Sequence, residues 1–245
     1  DGSTPKAGTL VAGDKILVTV TVDENITVDT SGGTPQYTID VGGVSKTADY
    51  VSGSGGTSLV FAYEVQAGDL DDAGGITSDT SALDANSGTL QDSDGHDLDL
   101  TTIAVSAGAN TVGVDAASPT VTGVVISGAE SDGSTPKAGT LVAGDKILVT
   151  VTVDEAITVT GTPEYTIDVG GVSKTVTYVS GSGTTELVFA YEVQAGDADA
   201  AGGIEAGTSA LALAGGTLKD SANNGLDLTT VAVTTGANTI VVDAV

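Results

Sequence analysis

The chain has 245 residues, 33 of them Asp or Glu against seven basic residues, all lysine, for a formal charge of −26. That balance excludes nucleic acid and anionic membrane surfaces as electrostatic partners, and the absence of Cys, Met and Trp excludes disulfides, thiol catalysis and thiolate metal sites. A hydrophobic fraction of 40% with no apolar run long enough to cross a bilayer predicts a folded, soluble chain without membrane insertion, and the missing methionine predicts a segment of a longer protein.

Asp1 to Glu24 (DGSTPKAGTLVAGDKILVTVTVDE) recurs without change as Asp132 to Glu155. After a three-residue difference (DTSGGTP at 29–35 against TGTP at 160–163) the offset is 128, which pairs Tyr37 with Tyr165, Phe61 with Phe189 and Asp115 with Asp243. Residues 1–117 and 118–245 are therefore read as two repeats, each of common domain size. Their joint, Val114 to Pro119 (VDAASP), is too short to act as a flexible linker. Residues 118–131 (SPTVTGVVISGAES) lead into the second copy and nothing equivalent precedes Asp1, so the first repeat is expected without its opening strand.

In chain order through the second copy, Val121 to Ile126 reads as that opening strand. Lys146 to Val153 alternates, with Ile147, Val149, Val151 and Val153 on one face and Lys146, Thr150 and Thr152 on the other. Tyr165, Ile167 and Val169 alternate likewise, and Gly170-Gly171 predicts a two-residue hairpin turn into Val172 to Val179. Ser180 to Thr185 closes a second hairpin before Glu186 to Val193, whose inward set is Leu187, Phe189, Tyr191 and Val193. Leu211 to Leu218 is a weaker strand, Ala206 to Ala214 has room for one helical turn at most, and Thr239 to Val242 closes the domain. About seven strands per domain, separated by Gly, Asp and Ser turns, predict an all-β antiparallel sandwich.

Acidic clusters fall between these strands. They are Asp23 and Glu24, matched by Asp154 and Glu155 at strand ends; Asp69, Asp71 and Asp72, matched by Asp197 and Asp199; Asp92, Asp94 and Asp97, matched loosely by Asp220 and Asn223; and Asp115, matched by Asp243. Alternating acids in a Gly-containing loop offer several hard oxygens to one cation, which is the chemistry calcium requires, although Asp and Gly also make simple solvated turns. Strands of alternating direction would carry the Asp69 loop and Asp115 to one end of the first repeat, and Asp154, Glu155 and the Asp220 loop to the facing end of the second. Acids converging there would repel one another without a counter-ion. Catalysis has little support, because the single histidine, His96, has Asn224 as its counterpart, and the eight Tyr and Phe rings fall on strand faces as core rather than as a sugar platform.

The run from VDAASP through AGDKILVTVTVDEAITVTGTPEYTIDVGG, YVSGSGTTELVFAYEVQAGDADA and GGTLKDSANNG resembles the bacterial Ig-like, cadherin-like repeats of very large secreted adhesins. The resemblance covers both repeats and implies tandem Ig-like sandwiches of Greek-key topology with calcium at the linkers. It implies a non-enzymatic monomeric spacer, extracellular on a bacterial surface, whose partners are calcium ions and neighbouring repeats and which projects a distal binding region for cell adhesion or biofilm formation. The family's acid at the end of the second strand falls on Glu24 and Glu155, its Asp loop on Asp92 and on Asp220 with Asn223, and its linker acid on Asp115 and Asp243. A carbohydrate- or ligand-binding module and a surface-layer repeat are the alternatives.

Overall fold

The computed structural model describes residues 6, 8–71, 75–101, 103, 110–199, 203–206, 210–229 and 238–245. The chain divides into two compact units, Asp1–Ala117 and Ser118–Val245. Among the described residues there is no helix, and therefore none long and apolar enough to cross a membrane.

The first unit contains β1 (Lys15–Asp29), β2 (Gln36–Val41), β3 (Val44–Ser52), β4 (Gly56–Glu64), β5 (Leu70–Asp71), β6 (Leu83–Asp84), β7 (Thr89–Gln91) and β8 (Val114–Asp115). Six of them form one sheet in the order β6-β2-β3-β4-β1-β7, and β5 pairs with β8. The second contains β9 (Val121–Ala129), β10 (Thr140–Leu141), β11 (Lys146–Thr160), β12 (Glu164–Val169), β13 (Val172–Ser180), β14 (Thr184–Glu192), β15 (Ala198–Asp199), β16 (Leu211–Ala212), β17 (Thr217–Lys219) and β18 (Val241–Asp243). Its main sheet runs β16-β12-β13-β14-β11-β17 with β9 also on β11, and a smaller sheet runs β10-β18-β15. All pairings of the main sheet are antiparallel, whereas β10 runs parallel to β18.

Alternation places the core. Ile147, Val149 and Val151 of β11 are fully buried beside Leu187 and Phe189 of β14 and Tyr165 and Ile167 of β12, and Leu141 and Val242 from the smaller sheet belong to the same buried cluster. An all-β unit with one core shared by two sheets is the arrangement expected of a sandwich. Phe189 is the centre of its aromatic contacts, tilted against Tyr165 at 6.1 Å and edge-on to Tyr178 at 5.8 Å. Phe61 repeats this with Tyr37 and Tyr50 in the first unit. The hairpin at Gly170-Gly171 forms with φ of 59° and 84°, and Val169 faces Val172 across it. Gly170 is doubly constrained, because a Cβ there would lie 2.0 Å from the Ala198 carbonyl oxygen.

Two sequence expectations are altered. Lys146 to Val153 does not end at Asp154, but continues to Thr160 as a fifteen-residue strand. Between Thr152 and Ile157, β11 advances five residues while β14 advances two, from Glu186 to Thr184, so Asp154 and Glu155 occupy an irregularity inside the strand rather than its end. Leu211 to Leu218 is divided between β16 and β17 by a turn at Ala214 and Gly215, both with positive φ.

Candidate functional site

In the second unit three segments meet at one corner. β11 gains residues relative to β14 at Asp154 and Glu155, and the alternation of buried and exposed positions runs on through them, leaving Glu155 half-buried on the inward row between Val153 and Ile157. Asp154 accepts from the Thr120 amide at 2.8 Å and the Thr120 hydroxyl at 2.6 Å, and its own amide donates to the Thr120 carbonyl at 3.1 Å. Partial burial pushes the Asp154 carboxyl up, but the Thr120 hydroxyl and amide outweigh it and hold the group below the usual carboxylate value. The Pro119 carbonyl accepts from the Asp227 amide at 2.9 Å, tying the entry of the unit to the segment that follows the Asp220 loop.

That loop leaves β17 directly after Lys219, which pairs with Thr158 of β11. Asp220 is 5% exposed and accepts on one carboxylate oxygen from the Asn224 amide and on the other from the Asn224 side-chain nitrogen, both at 2.8 Å. Asn223 takes a positive φ of 79° in the turn, and its side-chain oxygen accepts from Lys219 at 3.0 Å. A carboxylate oxygen of Glu155 and one of Asp220 lie within 4.8 Å of each other. Within either unit taken alone, no three such groups come that close among the described residues.

The other acids are placed differently. Asp69 and Asp197 are each held by a cation from within their own unit. Lys174 Nζ lies 2.6 Å from one oxygen of Asp197, and the other accepts from the Tyr191 hydroxyl at 2.7 Å and the Gln194 amide at 2.9 Å. Lys46, Tyr63 and Gln66 hold Asp69 in the same way, at 2.6, 2.6 and 2.8 Å. Burial pushes both carboxyls up, and the lysine, the tyrosine and the backbone amide together hold them below the usual value. Asp71 and Asp199 sit in the two-residue strands β5 and β15, half-buried and buried, while Asp243 is exposed on β18. Asp72 lies outside the described residues.

In the first unit Asp92 accepts from the Asp94 and His96 amides at 2.8 and 2.9 Å, and its other oxygen lies 2.9 Å from His96 Nδ1. The His96 amide, against slight desolvation, leads the contacts that hold its carboxyl below the usual value. Asp94 and Asp97 are exposed, and Asp97 accepts from Gln91 at 2.9 Å. Asp23 and Glu24 are exposed on β1. Asp115 is half-buried on β8, its amide donating to the Leu10 carbonyl at 2.9 Å.

No protein-family model, curated protein or solved structure matches this chain.

Of the candidate residues, then, the second unit brings Glu155 and Asp220 together. Sequence reasoning did not single out Thr120, whose hydroxyl and amide orient Asp154. Its position directly after Pro119, at the mouth of a strand, is the signal that could have found it.

Proposed function

We propose that this chain is a pair of Ig-like, Greek-key repeats that bind calcium and serve as a non-enzymatic, monomeric spacer in a large bacterial surface adhesin, extending a distal binding region for adhesion or biofilm formation. The observation that carries the reading is the Glu155–Asp220 carboxylate pair, oxygens within 4.8 Å, held by a strand irregularity and a hydrogen-bonded turn. At an effective dielectric constant near 20 two such charges repel by roughly 3 kcal/mol, which a divalent cation converts to attraction. The donor set fits a hard cation. Each Asp220 oxygen accepts one hydrogen bond from Asn224, leaving lone pairs on both, and calcium accepts such oxygens along with water and backbone carbonyls in a tolerant geometry.

Duplication of the same strand plan in two units supports a spacer rather than a dedicated binder. The rings agree with that: Tyr37, Phe61, Tyr165 and Phe189 are all at most 1% exposed, and the other four tyrosines are half-buried, so none is a fully exposed platform for a sugar.

Calorimetric titration with calcium chloride tests the reading. The parent chain is expected to bind with a dissociation constant near the 10⁻⁴ to 10⁻³ M range of extracellular modules. Glu155→Gln and Asp220→Asn, which keep size but remove the charge, are each expected to weaken binding about tenfold. The sequence also offers Asp115 as a ligand, so Asp115→Ala is expected to lower affinity with the circular dichroism unchanged. Titrations of the Glu155 and Asp220 variants that superimpose on the parent would overturn the assignment.

A further inference from the structure

We propose that Asn224-Gly225 is a self-modification site, at which the folded chain loses ammonia and converts Asn224 to an acid beside Asp220. In this reaction the backbone nitrogen of the following residue attacks the asparagine Cγ. The Gly225 N–H proton goes to solvent, an N–Cγ bond forms, the Cγ–Nδ2 bond breaks, and ammonia departs to leave a cyclic imide. Water then opens the ring at either carbonyl, giving aspartate or isoaspartate. Nothing is oxidised or reduced, and the sum is asparagine plus water going to acid plus ammonia.

The turn meets what this chemistry needs. Asn224 is the only asparagine of the chain followed by glycine, which puts no side chain in the way of ring closure and has the widest backbone freedom. Gly225 is exposed, and a Cβ placed on it would meet nothing within 4 Å. Its amide is also uncommitted. Lys219 and Gly225 face each other as a non-hydrogen-bonded antiparallel pair, flanked by the Asp220 amide on the Asn224 carbonyl at 3.1 Å and the Leu226 amide on the Leu218 carbonyl at 3.0 Å. The Gly225 N–H therefore donates to no group among the described residues. Bonds from its amide and side-chain nitrogen to the Asp220 carboxylate restrain Asn224. They lie within one short turn, so reaction waits on brief opening of that turn and not on loss of the sheet.

The place of the turn gives the change an effect. His96-Asp97 hold the corresponding positions of the first repeat, so the modification is confined to the second. There the Asn224 side-chain nitrogen donates to an Asp220 oxygen at 2.8 Å, and Asp220 and Glu155 carry oxygens within 4.8 Å. In the aspartate product an acceptor replaces that donor, two carboxylate oxygens meet with no proton between them, and the corner gains a negative charge. This consequence rests on the reading that Glu155 and Asp220 hold calcium: the aspartate product offers the cation a further hard oxygen and binds it more tightly.

The test keeps the whole chain folded in mildly alkaline buffer with chelator, with circular dichroism reporting the sheet. Samples taken over days, and an unaged control, are denatured and digested with trypsin, and the fragment of residues 220–245 is sequenced by tandem mass spectrometry. The expected result is the mass gain of NH2 replaced by OH at Asn224, ahead of Asn223 and Asn238 in the same fragment. Gly225→Ala, which the open space and the absence of a left-handed φ admit, is expected to slow that gain several-fold. No gain at Asn224, an earlier gain at Asn223 or Asn238, or a Gly225→Ala chain that reacts as fast as the parent would each overturn the proposal. Calcium titration of Asn224→Asp reads the consequence separately: several-fold tighter binding than the parent is expected, and equal or weaker binding overturns that consequence. If the Glu155→Gln titration superimposes on the parent, the metal reading fails, while the mass result at Asn224 still decides the modification.

Discussion

Replacing Lys174 with methionine is expected to destabilise the second unit by about 2 kcal/mol at neutral pH. The Asp197 carboxylate is 5% exposed, and the Lys174 ammonium, 22% exposed, is its only ion-pair partner among the described residues. Removing one member of a buried pair typically costs about 3–5 kcal/mol because the other charge stays buried. Here the Tyr191 hydroxyl and the Gln194 amide remain bonded to the same carboxylate, and Lys174 is partly solvated, so the lower figure applies. The sign of the pH dependence follows from the same contacts. In the parent, the Asp197 carboxyl lies below its unfolded value near 3.9, so its contribution is complete above that pH and is lost as pH falls through the folded value. In the variant, burial persists while the lysine is gone, the carboxyl rises, and protonation relieves the penalty. The gap between parent and variant should therefore be widest at neutral pH and narrow below about pH 4. Lys174 is raised above its ordinary value, so the gap should also narrow in strong alkali. Hydrogen exchange of the β13 and β14 amides reads the second unit alone, and Lys174→Met with Asp197→Asn should recover part of the loss. A variant as stable as the parent at pH 7, or a gap that persists unchanged to pH 3, would refute the reasoning.

Gly170→Ala should destabilise the β12–β13 hairpin by about 2 kcal/mol or more, since the position needs a φ of 59° and its Cβ would meet the Ala198 carbonyl, and thermal unfolding measures it. Phe189→Ala should cost about 3–5 kcal/mol by urea denaturation, because the ring is fully buried against Tyr165 and Tyr178; a loss below 1 kcal/mol would mean that the core collapses around the gap.

Alternation made the long strands legible, because Ile147, Val149 and Val151 must all face one core, and two consecutive glycines made the Gly170-Gly171 turn legible. The continuation of β11 to Thr160 was not, because Asp154 and Glu155 interrupt the alternation at the place where the strand gains residues relative to β14, and such an irregularity reads as an end in a single sequence. Strands of two or three residues, such as β15 and β18, carry no period and show only through their partners. The acids illustrate the same limit. Asp197 and Asp220 look alike along the chain, yet one is held by Lys174 from two strands away and the other turns toward Glu155. Which acid acquires an ammonium is decided by cross-strand neighbours, which no local motif encodes.

The placement of the lysines bears on how such a chain would survive outside a cell. Trypsin-like proteases cleave after Lys or Arg, and this chain offers seven lysines and no arginine. Lys15, Lys46, Lys146, Lys174 and Lys219 lie within strands, and the Lys137 amide is bonded to the Gly128 carbonyl at 2.9 Å. A protease must bind its target as an extended, unpaired segment, so cutting at these six has to wait for local opening, and their digestion should follow the opening equilibrium rather than protease concentration alone. Lys6, exposed and ahead of β1, has no such strand pairing or backbone bond among the described residues, and a nick there leaves every described strand of both units intact.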